Sequence, residues 1–289
     1  MSNELPEIAS KARTRAIMET YGLTFKKSLG QNFLTDPEIC PAMADCAELS
    51  ENTCVIEIGP GVGVLTAELA KRAGKVLSFE VDRRLLPVLN ETLSEFDNVE
   101  IINADILKVD LKQLIEEKCK GFDIAVCANL PYYITSPIIM SLLESRLPIK
   151  TVTVMVQKEA GERLCAEVGS RKSGAVTVAV TYFSKPEMLF FVPRTAFLPP
   201  PNVDSCVIKL KIRKEPPVAP HSEEFFFKVV KAAFSQRRKT AENSISAGLH
   251  INKDAVGNAL ESVGLSKNVR AENLTMEDFA ALSDILENC

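Results

Sequence analysis

Apolar, β-branched residues in this chain gather in short runs, separated by turns marked with glycine or acids and by longer amphipathic stretches. Runs at 53–58 (TCVIEI), 75–79, 99–103, 123–127 and 151–157 (TVTVMVQ) predict strands, and 187–192 and 205–212 predict a closing pair. Helical patterns cover 8–21, 64–72 and 136–144, start again at Lys158-Glu159, and a further periodic stretch runs over 174–183. Asp36-Pro37-Glu38 has the form of a helix start, with the acid as cap and proline in the first position. Strands alternating with helices predict an α/β fold with a mostly parallel, doubly wound sheet. The proline-rich stretch 213–222 (RKEPPVAPHS) reads as a linker, and only helices follow it, at 223–236, 241–246, 253–263 and 275–287. The expected organisation is a domain over 1–212, a linker over 213–222 and a small all-α domain over 223–289.

Composition narrows the classes. A formal charge of −4 and a pI near 5.5 argue against a protein that coats nucleic acid by bulk charge, so any such contact must come from local basic patches. No apolar run approaches the roughly 20 residues of a membrane span, and Met1–Ser10 carries acids and Pro6 where an export signal would be basic and then apolar. The eight cysteines are scattered without a C-x-x-C pair, and Cys54, Cys127 and Cys206 lie in strand-like runs. Reduced, buried thiols in a cytoplasmic protein are expected. His221 and His250 stand near no cysteine cluster, so no metal site is proposed.

The chemistry concentrates at strand ends. The first strand runs into Gly59-Pro60-Gly61-Val62-Gly63, a glycine turn that lacks the third glycine spacing of a dinucleotide site. Glu80 follows about 20 residues on, where an acid can hold both hydroxyls of a ribose. Asp105 ends the third strand and Asn129 follows the fourth. Gly59, Glu80, Asp105 and Asn129 thus fall in order on the edge where open α/β sheets bind ligands. The stretch Asn129-Leu130-Pro131-Tyr132-Tyr133 offers an amide that both donates and accepts, a fixed chain direction and a π-face, which suits a flat, amine-bearing ring. It is equally compatible with a strand-ending turn around a core tyrosine.

Three other stretches have two readings each. Phe25 to Leu34 (FKKSLGQNFL) is either a solvated basic turn or a glycine-hinged lid. Phe197, before three prolines, either plugs a hydrophobic gap or makes a second aromatic wall facing Tyr132. Lys228, Lys231, Arg237, Arg238 and Lys239 are either a solvated helix end or a phosphate-binding surface.

With these residues assembled, the sequence resembles the KsgA/RsmA family of ribosomal RNA adenine dimethyltransferases. The resemblance rests on KKSLGQNFL, EIGPGVGVLT, FEVDRRL, NADIL, NLPYYITSPI, MVQKEAGERL, VPRTAFLPPPNVDS and FSQRRKT, which span residues 26–240. It implies a Rossmann-like class I methyltransferase domain that uses S-adenosylmethionine and releases S-adenosylhomocysteine. Gly59 and Gly61 would lie beside the methionine part, Glu80 on the ribose, Asp105 on the adenine amine and Ile106 against its ring. Asn32 and Leu34 would enclose the cofactor, and Asn129 would border both cofactor and target. The implied reaction dimethylates N6 of two adjacent adenosines in the hairpin loop near the 3′ end of 16S ribosomal RNA, within immature small subunits. Asn129 and the Leu130 carbonyl would take the amine's two N–H groups, while Pro131 sets the loop and Tyr132 and Phe197 hold the base. Lys26, Lys27, Arg237, Arg238 and Lys239 would contact RNA, and a cytoplasmic monomer with no membrane partner is expected. The rivals are an Erm-type enzyme acting on 23S ribosomal RNA and an assembly factor whose binding role outweighs catalysis.

Overall fold

The computed structural model describes residues 9–25, 30–236, 238–287 and 289. Its strands are β1 (Phe33–Leu34), β2 (Thr53–Ile58), β3 (Lys75–Phe79), β4 (Val99–Ile102), β5 (Asp123–Asn129), β6 (Ile149–Gln157), β7 (Ser184–Val192), β8 (Phe197–Leu198) and β9 (Ser205–Ile212). Seven of them form one sheet in the order β4-β3-β2-β5-β6-β9-β7. The first five positions are parallel and β9 runs antiparallel to β6. The chain winds outward from β2 through β3 to β4, then returns to place β5 on the other side of β2. That reversal opens a crevice at the carboxyl ends of β2 and β5, the place where open α/β sheets bind ligands.

The central strands are buried on both faces, with Ile56, Leu77, Val126 and Val154 all sealed from solvent. Near-continuous apolar runs are what a parallel sheet covered on both sides requires. The helices associated with this first part are α1 (Lys11–Thr20), α2 (Ile39–Cys46), α3 (Val64–Ala70), α4 (Leu86–Thr92), α5 (Leu111–Lys118), α6 (Thr135–Glu144) and α7 (Lys158–Leu164). Asp36 does not cap α2. Its carboxylate accepts from the Glu38 N–H at 3.1 Å in a turn of its own, and the helix starts after Glu38 without a side-chain cap. Cys54 and Cys119 are joined as a disulfide, not the free thiols that the sequence suggests, while Cys40, Cys127 and Cys206 are free and buried.

Contacts divide the chain into two compact units, Met1–Gly161 with Glu187–Ile212, and Glu162–Pro186 with Arg213–Cys289. Residues 162–186 therefore depart from the expected 1–212 domain and cluster with the C-terminal helices. The cause is aromatic packing around α8 (Ala175–Phe183). Tyr182 meets Phe226 and Phe227 at 5.3 and 5.1 Å, and Phe183 stacks on Phe227 at 5.4 Å. The Arg213 guanidinium adds hydrogen bonds to the carbonyls of Thr181 and Ser184. The rest of this second unit is helical, with α9 (Glu223–Ala233), α10 (Ala241–Leu249), α11 (Lys253–Ser262) and α12 (Met276–Leu286). Ser222, Thr240, Asn252 and Thr275 cap these four helices with side-chain oxygens.

Candidate active site

The crevice holds a cavity of about 380 Å³ lined from the carboxyl ends of β2, β3, β4 and β5 and from the segment Gly30–Leu34. Asn32, Leu34, Gly59, Gly61, Glu80, Asp105, Ile106, Asn129, Leu130, Pro131 and Tyr132 all lie on its wall, so eleven sequence-predicted residues meet in one place.

Backbone geometry explains the glycines. Gly59 has φ +72°, and a Cβ built there meets nothing within 4 Å, so any side chain would project into open space beside the turn. Gly61, at φ +62°, lies so close to Phe33 that a Cβ would come within 3.0 Å of the ring. The segment from Gly30 onward is thereby seated on the site. Phe33 rests on Gly61, the Gln31 amide donates to Asp82 at 3.0 Å, and Phe33–Leu34 pairs with Phe197–Leu198 as a two-stranded sheet.

Two buried acids face the cavity. Glu80 accepts the Asp82 N–H at 2.7 Å, and burial raises its pKa against the pull of such backbone donors. Glu57, which the sequence reading did not single out, is wholly buried on β2. Burial pushes it up to about 7, partly offset by the Ser78 hydroxyl donating at 2.7 Å. The Thr66 hydroxyl also pulls it down, but Oε1 makes no well-formed hydrogen bond among the described residues and keeps acceptor capacity for a ligand. A carboxylate among the apolar residues of TCVIEI is the signal that could have pointed there, because a charge in a doubly buried strand needs a reason. Asp82 differs: the Arg84 guanidinium at 2.7 Å and Gln31 hold its carboxyl well below the usual range.

The other side of the cavity is less engaged. Asn129 ends β5, and its carboxamide makes no hydrogen bond among the described residues. The Leu130 N–H donates to the Met155 carbonyl at 3.2 Å, which ties the loop to β6 before Pro131 turns it away. The Tyr132 hydroxyl is bonded to Ser205 Oγ at 2.6 Å, and burial raises its pKa. Tyr133 also lines the cavity and is 56% exposed.

Phe197 is not part of this wall. It is 1% exposed and packs in the hydrophobic core beneath β1, which makes it a support for the Gly30–Leu34 segment and not a surface facing Tyr132. Lys26, Lys27 and Arg237 lie outside the described residues. Arg238 and Lys239 are exposed on the turn between α9 and α10, and Lys228 pairs with Glu224 at 2.7 Å.

A glycine turn, an acid at each of three strand ends and an open amide at the fourth line one crevice. The sequence matches the family described as ribosomal RNA adenine dimethylase over residues 22–288. The chain belongs to the ribosomal RNA adenine dimethylases. Among curated relatives, it is 52% identical over 290 residues to ribosomal RNA small subunit methyltransferase A of Ligilactobacillus salivarius (strain UCC118), covering 99% of this chain and 98% of that one. The protein of the same name from Geobacillus sp. (strain WCH70) is 50% identical over 286 residues, covering 98% of each. Among solved structures, a dimethyladenosine transferase from Plasmodium falciparum has TM-score 0.72 at 27% identity, over 86% of this chain and 95% of that one. The 23S rRNA methyltransferase ErmE has TM-score 0.68 at 31% identity, over 89% of this chain and all of that one.

S-adenosylmethionine is the methyl donor of these dimethylases, and the cavity fits it. Glu57 Oε1 suits the donor's cationic amino group, the open space beside Gly59 admits a close-lying chain, and Glu80 and Asp105 provide acceptors for ribose hydroxyls and an amine.

Proposed function

We propose that this dimethylase acts on N6 of two adjacent adenosines in the hairpin loop near the 3′ end of 16S ribosomal RNA, within immature small subunits. The observation that carries the reading is the unengaged Asn129 carboxamide on the wall of a cavity whose other side holds the buried acids Glu57 and Glu80. Gly59, Gly61, Glu57, Glu80, Asp105 and Ile106 would hold the donor, with Asn32 and Leu34 closing over it. Bound there, S-adenosylmethionine supplies an electrophilic methyl group on a cationic sulfur.

The adenine amine is a weak nucleophile because its lone pair is delocalised into the ring. Asn129 Oδ1 and the Leu130 carbonyl accept its two N–H groups, which localises the lone pair and aims it. The protonated product amine is acidic enough to lose its proton to water, so no general base is assigned. Tyr132 supports the base with a ring whose position is fixed through its hydroxyl bond to Ser205. Stacking of this kind contributes roughly 1–3 kcal/mol per base. Arg238 and Lys239, with Lys26, Lys27 and Arg237, supply phosphate contacts that orient the RNA. The protein acts as a cytoplasmic monomer. No helix among the described residues is long and apolar enough to cross a membrane.

The test is transfer of labelled methyl groups to small-subunit particles lacking adenine methylation, run beside large-subunit RNA, with nucleosides identified by mass. Dimethyladenosine in the small subunit alone supports the reading. Label in large-subunit RNA would move the protein to the activity that ErmE's name carries.

A further inference from the structure

The edge of the sheet beyond Tyr132 carries an exposed aromatic ring, Phe191. Ser205, which holds the Tyr132 hydroxyl, is the register partner of Gln157 at the end of β6. The next residue, Lys158, donates its backbone N–H to the Asp204 carbonyl at 3.0 Å, and its ammonium lies 4.9 Å from the centroid of the Phe191 ring. Phe191 is 56% exposed near the end of β7, the last strand of the sheet.

A lone surface phenylalanine under a lysine stem needs no explanation. Its surroundings here do. Among the described residues neither the Lys158 ammonium nor the Arg194 guanidinium pairs with a carboxylate, although acids outnumber bases in the chain. Asp204, the acid between them, instead accepts the Arg194 backbone N–H at 3.0 Å. Val203 in the same turn adds an exposed apolar side chain. An unpaired cation over an open aromatic face, with Arg194 three residues further along the chain and a link through Ser205 to Tyr132, has the composition of a single-strand platform. Such platforms combine a ring for stacking with positive charge that follows the backbone.

We infer that Phe191, flanked by Lys158 and Arg194, stacks an unpaired nucleotide that neighbours the target adenosine and holds its phosphates. The inference rests on the proposed reaction with RNA. It adds a positioning site outside the cavity, one that sets how the loop is presented and takes no part in methyl transfer.

The protein contains no tryptophan, so Phe191→Trp places a single reporter on the ledge. Addition of small-subunit RNA is expected to quench its emission through base stacking. Phe191→Ala is expected to raise KM for RNA about tenfold, leaving kcat and cofactor affinity within about twofold, with Phe191→Tyr restoring KM. Lys158→Met is expected to lower the salt dependence of RNA binding by about one ion. Unchanged emission at saturating RNA, in an enzyme that still methylates that RNA, would overturn the inference, as would an unchanged KM in Phe191→Ala. A wild-type protein that methylates no RNA would instead overturn the proposed reaction, and this inference with it.

Discussion

The two sides of the cavity are built in different ways. On the side of β2, β3 and β4, Glu57, Glu80 and Asp82 are buried, glycines take left-handed backbone, and Glu80 and Asp82 are held by N–H donors and Arg84. On the side of β5, the Asn129 carboxamide is unengaged and Tyr133 is open to solvent. A small ligand of constant shape favours a rigid, desolvated site, because preorganised groups strengthen in low dielectric. A base delivered by a macromolecule needs a polar group still free to bond when it arrives. Rigidity and readiness are thus separated by the width of one crevice.

The largest effect expected of a single change lies beneath both sides. Phe197→Ala should destabilise the protein by about 3–5 kcal/mol, as for other buried phenylalanines, read as a fall in denaturant midpoint. Phe197→Leu should recover most of the stability and the activity. Activity lost in Phe197→Leu with stability intact would return this ring to the base-binding wall and blur the comparison.

Glu57→Gln sharpens the cofactor side. Folding raises this carboxyl from its ordinary 4.5 to about 7, so the folded protein keeps a proton that the unfolded chain releases. Its contribution to stability is fullest below pH 4.5, declines as pH rises to about 7, and is flat above. Without cofactor, the glutamine variant should therefore gain on wild type across that window, by about 3 kcal/mol at most, while losing cofactor affinity. Equal slopes of stability against pH for the two proteins would contradict the raised, buried carboxyl.

Tyr132→Phe addresses the target side and should have the smallest effect. Removing the hydroxyl frees Ser205 and costs about 1 kcal/mol of positioning, seen as a several-fold fall in kcat with cofactor affinity unchanged. A loss of cofactor affinity would mean that Tyr132 belongs to the other side.

Much of this was legible in the residues. Three strands, 53–58, 75–79 and 205–212, have the predicted bounds, and for the first two the reason is that parallel, doubly buried strands need unbroken apolar runs. The order of Gly59, Glu80, Asp105 and Asn129 at strand ends follows from topology alone. What was hidden is long-range. Two-residue strands such as Phe33–Leu34 carry no periodicity, and their pairing with Phe197–Leu198 spans most of the chain. The affiliation of residues 162–186 with the helical unit depends on rings that meet only after folding. Glu57 was legible only as a charge within an apolar strand, and the strand pattern alone does not say that its side chain reaches a cavity.

The central claim is that Asn129 acts on the target amine while the opposite side holds the cofactor. The most direct test measures methyl-transfer rate and cofactor affinity side by side in Asn129→Ala. The rate should fall by about 10²–10³-fold, as when one preorganised polar group is removed from a transition state, while cofactor affinity changes by less than about tenfold. A near-normal rate, or an affinity that falls in step with the rate, would contradict the division of the site.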